Sequence, residues 1–171
     1  DKAIQTMAQN MLLAVVLIFL VMASLFESAL YPLSIITSIV FAIVGSIWFL
    51  TLTGTTITMM AMIGFMVLMG VVVNIGIVLI AHVIDLRHAG MPRHQAILQA
   101  GHDRLRPIMM TTLTTLLGML PLAIGDAQVG GGSEGPAYYP MARAIMGGLG
   151  FSAAVSLLIV IVTFARDNLP R

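Results

Sequence analysis

SALYPLSIITSIVFAIVGSIWFLTLTGTTITMMAMIGFMVLMGVVVNIGIVLIAHVI, residues 28–84, runs for 57 residues between Glu27 and Asp85 without an Asp, Glu, Lys or Arg. As a single α-helix it would be a rod about 85 Å long. The hydrocarbon core of a bilayer is about 30 Å thick and is crossed by about 20 apolar residues. The run therefore has to fold back on itself. Gly54-Thr55-Thr56, just after Trp48 and Phe49, has the polar, glycine-containing character of the turn this requires.

Charge-free runs continue on both sides. There are 24 such residues between Lys2 and Glu27, 19 from Pro107 to Gly125 and 22 from Ala144 to Ala165. A break over Glu27 to Pro32 divides the first run from the long one. The pattern predicts five spans, at about 8–26, 33–53, 57–83, 107–124 and 141–165, within one membrane domain over residues 1–171. The expected fold is all-α, a polytopic membrane helix bundle. The first span lacks the basic start and small-residue cleavage site of a removable leader, and is expected to stay.

Composition agrees. Of the 171 residues 59% are hydrophobic and 9% charged, and mean hydropathy is +1.04. A soluble globular domain carries about 25% charge. Such a domain, a disordered chain and a basic nucleic-acid binder are all excluded, and the lipid bilayer is the expected partner. There is no cysteine, so no disulfide frame or Cys metal site is possible.

Orientation follows from the arginines. The segment between spans three and four contains Arg87, Arg93, Arg104 and Arg106, whereas that between spans four and five has Asp126 and Glu134 and no basic residue. The positive-inside rule assigns the arginine segment and the C-terminus, with Arg166 and Arg171, to the cytoplasm and the N-terminus to the outside. Lys2 and Arg143 are the exceptions. HAGMPRHQAILQAGHDR, residues 88–104, is expected to form a short amphipathic helix on the cytoplasmic membrane surface, with Pro92 near its start. DAQVGGGSEGP, residues 126–136, is expected to be a flexible polar outer loop.

Polar side chains within spans are expensive and each invites a functional reading. Asn74, deep in the third span, is able to bond a relay group on a neighbouring helix or to join two helices structurally. Thr111, Thr112, Thr114 and Thr115, with Thr111, Thr114 and Thr115 near one face, line a polar path or bond the carbonyls one turn back. Arg104 and Arg106 are in the position of interfacial anchors. Gly70, Gly76, Gly147 and Gly148 permit close helix contact, and Pro121 is expected to kink the fourth span. His82, His88, His94 and His102 are 6, 6 and 8 residues apart, not the spacing that sets two metal ligands on one helical face. The 14 methionines are scattered through the spans as packing. No phosphate-binding loop or nucleophile constellation is present, so neither enzymatic catalysis nor a cofactor is expected.

Three stretches also carry a resemblance. NMLLAVVLIFLVMASLFES (10–28) with PLSIITSIVFAIVG (32–45) resembles the start of the second transmembrane half of RND (resistance-nodulation-division) efflux permeases. LTGTTITMMAMIGFMVLMGVVVNIGIVLIAHVIDLRHAG (52–90) is similar to the signature helix of that half, especially in its hydrophobe/amphiphile branch. AILQAGHDRLRPIMMTTLTTLLGMLPLAIG (96–125), with its RLRPI, MTT and GMLPL elements, is similar to the helix that follows.

The resemblance covers nearly the whole chain. It implies a proton-coupled antiporter of the bacterial inner membrane that exports amphiphilic compounds. Its implied partners are an N-terminal half with a proton-binding Asp pair, porter domains, two further copies in a trimer, a periplasmic adaptor and an outer-membrane channel. The family's proton-relay partners fall at Asn74, Arg104 and Thr111. Three features depart from the family pattern: Ile75 stands where a polar Asn is usual, Ala81 where an acidic residue is common, and residues 161–163 lack an expected proline. The resemblance therefore implies a piece of a permease inactive on its own. A structural or engineered membrane scaffold, or a small accessory membrane protein, are the alternatives.

Overall fold

One glycine turns the long apolar run back on itself, and a second turns the chain again just beyond the end of the run. Gly54 and Gly90 have φ of 62° and 91°, the left-handed region that glycine enters without a Cβ clash. At the first, Thr55 N–H donates to the Leu50 carbonyl at 2.9 Å and Gly54 N–H to Thr51 at 3.2 Å. At the second, Met91 N–H donates to Leu86 at 3.3 Å and Gly90 N–H to Arg87 at 3.1 Å. These paired bonds satisfy the last carbonyls of each helix in the Schellman arrangement. Thr58 then starts the next helix, its side chain accepting from Ala61 N–H.

The computed structural model describes residues 2–124 and 137–168, the side chains of 159–168 excepted. Five helices follow in order: α1 (Lys2–Phe26), α2 (Leu30–Leu52), α3 (Met59–His88), α4 (Arg93–Ile124) and α5 (Tyr139–Asn168). All five are long and apolar enough to cross a membrane. The described residues contain no strand, and the protein is an all-helical polytopic bundle. The expected polar loop at 126–136 lies outside the described residues.

One expectation is corrected. Residues 88–104 do not make a separate surface helix. His88 ends α3, a turn occupies 89–92, and 93–104 is the first part of the 32-residue α4. Pro107 reads as a boundary because it lacks an N–H and restricts the residue before it. Here the carbonyl deprived of a donor belongs to Asp103, an exposed residue at the polar end, where the lost bond does not leave a buried acceptor. Ala96 and Ala100, one turn apart and fully buried, hold the segment on the bundle. The helix also continues through Pro121 and ends three residues later.

α5 is the hub and packs on α2, α3 and α4. Its Ala144, Gly147 and Gly148 are buried at i, i+3 and i+4, and so are Ala42, Gly45 and Ser46 on α2. Lipid tails are as apolar as the helices, so association depends on close van der Waals approach and not on escape from water. The small residues permit it. A Cβ on Gly148 would stand 2.7 Å from the Ala42 carbonyl oxygen and would collide with Leu68. One on Gly147 would collide with Phe49, and one on Gly76 would lie 3.1 Å from Ile35 Cγ1. Gly70, expected at a packing contact, instead faces open space. Ser46 Oγ donates to the Ala144 carbonyl at 2.6 Å in the middle of this seam. Ile35, Ile39, Leu68, Met69, Val72 and Leu149 fill the adjoining core. Among the described residues α1 touches only α2 and α3, and Met22 is its buried residue.

Candidate functional site

α3 and α4 are antiparallel neighbours joined by the short turn at 89–92, and one pair of side chains fixes their register. His82 Nε2 on α3 lies 3.1 Å from Asp103 Oδ2 on α4. A carboxylate only accepts, so the imidazole donates through Nε2–H. Gln99 Nε2, one turn earlier on α4, donates to the other carboxylate oxygen at 2.8 Å. His102 Nδ1 is 3.8 Å from that same oxygen and far more exposed. Asp103 precedes the apolar stretch 107–124. The hydrogen bond from His82 holds its carboxyl below the ordinary value of 3.8 against a smaller opposing effect of burial, with Gln99 assisting.

This pair sets the depth of the three residues singled out in the sequence. Asn74 is eight residues before His82, and Thr111 eight residues after Asp103. In antiparallel helices both then lie about 12 Å farther into the bundle, at the same level. Arg104 and Thr111 are seven residues apart, two turns along one stripe of α4. Asn74 and Thr111 are exposed on the surface of this chain. Thr111 Oγ1 donates to the Pro107 carbonyl at 2.9 Å, and Thr114 and Thr115 likewise bond Met110 and Thr111 one turn back. Arg104 is half-buried, and its Nε has no hydrogen-bond partner among the described residues. No hydrogen bond among the described residues joins Asn74, Arg104 and Thr111 to one another.

Sequence reasoning missed three polar features. The His82–Asp103 tie spans 21 residues of sequence and is visible only once the α3–α4 register is known. Thr112, grouped by sequence with the path-lining threonines, is the buried one, and its hydroxyl has no partner among the described residues. Arg143 stood out only as an exception to the charge rule. At the other end of the bundle it gathers three elements: Nη1 donates to Thr55 Oγ1 at 2.7 Å, Nε to the Ala123 carbonyl at 3.1 Å, and the guanidinium lies 4.8 Å from the Tyr139 ring centroid. Ala123 is in the last turn of α4, where a cation offsets the negative end of the helix dipole. Arg143 is thus a structural clamp, consistent with a basic residue lying away from the other arginines.

Comparison with known proteins places these residues in context. The AcrB/AcrD/AcrF family matches residues 1–166. The swarming motility protein SwrC of Bacillus subtilis is 38% identical over 154 residues, which cover 90% of this chain and 14% of that protein. The multidrug resistance protein MdtC of Erwinia tasmaniensis is 36% identical over 162 residues, 94% of this chain and 15% of MdtC. MdtC of Salmonella paratyphi B is also 36% identical, over 164 residues, again 94% of this chain and 16% of that protein. This chain thus spans only 14% to 16% of the length of these relatives. Matched over residues 1–166, nearly its full length, the chain belongs to the AcrB/AcrD/AcrF family of RND permeases.

Proposed function

We propose that this chain supplies membrane helices of a proton-coupled transporter that exports amphiphilic compounds, and that it is inactive alone. The observation that carries this reading is the placement of acids. Glu27, Asp85 and Asp103 all lie at or beyond the ends of the apolar stretches, leaving no carboxylate in the hydrocarbon region to bind and release a proton. The common depth of Asn74 and Thr111 on α3 and α4, with Arg104 on the same stripe of α4, supports a polar layer that answers titration of acids on another half. The name of MdtC as a multidrug resistance protein supports amphiphilic drugs as the exported class. On this reading the partners are an N-terminal half with the acids, porter domains, a trimer, an adaptor and an outer-membrane channel. The chain sits in the inner membrane with its N-terminus in the periplasm and its C-terminus in the cytoplasm, and performs no covalent chemistry.

The test is proton flux into liposomes containing only this chain, with a pH-sensitive dye inside and an amphiphilic drug outside. A flat trace is expected, and it should remain flat for Ala81→Asp combined with Ile75→Asn. Drug-dependent flux from either protein would overturn the reading. A scaffold role is the second reading, favoured by Ile75, which packs as an apolar side chain against the α2–α3 core. Asn74→Leu separates the two. A scaffold keeps or gains thermal stability and nothing else changes, whereas a relay element loses drug-dependent flux when combined with a half that carries the acids.

A further inference from the structure

We propose that the groove between the start of α2, the end of α3 and the start of α4 is a binding site for one anionic phospholipid. Its volume is about 530 Å³. Tyr31, Arg87 and Arg93 line one end of it. Leu33 lines it about half a turn beyond Tyr31 on α2, and Ile80 about two turns from Arg87 on α3, so that about 10 Å of helix separates Arg87 from Ile80. The groove thus has a cationic end and an apolar length, the two chemistries that a lipid phosphate and its acyl chain present together.

The charge of that end is uncompensated. Arg87 Nη1 donates to the Tyr31 hydroxyl at 3.0 Å, a neutral partner that orients the guanidinium without cancelling it. Arg93 is exposed, and neither arginine is in an ion pair among the described residues. Of the nearby acids, Glu27 and Asp85 do not line the groove, and Asp103 is taken up by His82 and Gln99. A planar guanidinium matches a phosphate with two parallel N–H donors. Arginines at the bilayer surface between membrane helices attract anionic headgroups. A soluble phosphate would use the arginines and leave the apolar length empty, with Leu33 58% exposed. A phospholipid covers both, and its choice does not depend on whether the chain takes part in transport.

The experiment is equilibrium binding of phosphatidylglycerol and of phosphatidylcholine with identical acyl chains to the detergent-solubilised 171-residue chain, with glycerol 3-phosphate as competitor. Two arginines predict a preference of about 10- to 30-fold for phosphatidylglycerol. Arg87→Gln with Arg93→Gln should abolish that preference, while Arg106→Gln, which does not line the groove, should retain it. If the double variant does not fold, Arg93→Gln alone removes an exposed side chain with no bond of its own and should lower the preference about fivefold. Equal binding of the two lipids, or a preference that survives loss of both arginines, would overturn the proposal. So would competition by glycerol 3-phosphate as effective as that of the lipid, which would make the groove a plain anion site.

Discussion

A Cβ added to Gly148 on α5 would stand 2.7 Å from the Ala42 carbonyl oxygen; the same atom added to Gly70 on α3 would meet nothing within 4 Å. The two glycines report two kinds of region. Along the α2–α5 seam, small residues on both helices face one another and the one buried hydroxyl, on Ser46, is bonded across the contact. At the joined ends of α3 and α4 the polar groups are half-exposed, bonded side chain to side chain, and Arg104 keeps an unpartnered Nε. The seam fixes the architecture because nothing larger fits. The α3–α4 end is held instead by bonds between side chains at its more exposed rim.

The largest effect that bears on this contrast comes from one substitution made twice. Gly148→Ala should destabilise the bundle by about 2–3 kcal/mol, because the new methyl displaces Leu68 and the α2 backbone together. Gly70→Ala should be neutral or stabilise by about 0.5 kcal/mol, since it gains only helix propensity. Reversible unfolding in mixed micelles measures both. Equal changes would mean that the seam is no tighter than the rest of the bundle.

Next in size is Arg143→Met, which removes bonds to Thr55 and Ala123 and the contact with Tyr139. Loss of charge-assisted bonds of this kind should cost about 2 kcal/mol. Arg143→Lys should recover only part of it, because an ammonium cannot reproduce two donors in the plane of the fork. Full recovery would show that charge alone matters there. Ser46→Ala should cost less, about 1 kcal/mol, the usual worth of a hydrogen bond between membrane helices. If it exceeded the Gly148→Ala effect, polar bonding and not close approach would be the organising feature of the seam.

The sequence reading succeeded where a bilayer dictates length. A run of 57 uncharged residues cannot cross once, and Gly54 marks where it turns. It failed where tertiary contact overrules a local signal. The charge-free run begins at Pro107, yet the helix begins at Arg93, with buried Ala96 and Ala100 holding its first part on the bundle. Gly70 and Gly148 look alike in sequence, because which face of a helix meets a neighbour is a property of the partner as much as of the helix. Asn74, Arg104 and Thr111 stand out in sequence as polar groups in or beside the spans, and family resemblance implies a shared relay role; only the His82–Asp103 register brings Asn74 and Thr111 to the same depth.

The smallest effect is the most diagnostic of the α3–α4 end. The carboxyl of Asp103 is held below its ordinary value of 3.8 by the bond from His82. A carboxyl depressed on folding contributes stability that is complete above its unfolded value and is lost as the pH falls through the folded one. Asp103→Asn should therefore lower the thermal midpoint slightly at pH 7, and the difference from the parent chain should shrink toward zero as the pH falls well below 3.8. A difference that stayed constant down to pH values of about 2 would show that shape, not the carboxylate charge, joins the two helices. The α3–α4 end would then be a second packed seam, and its contrast with α2–α5 would be one of degree.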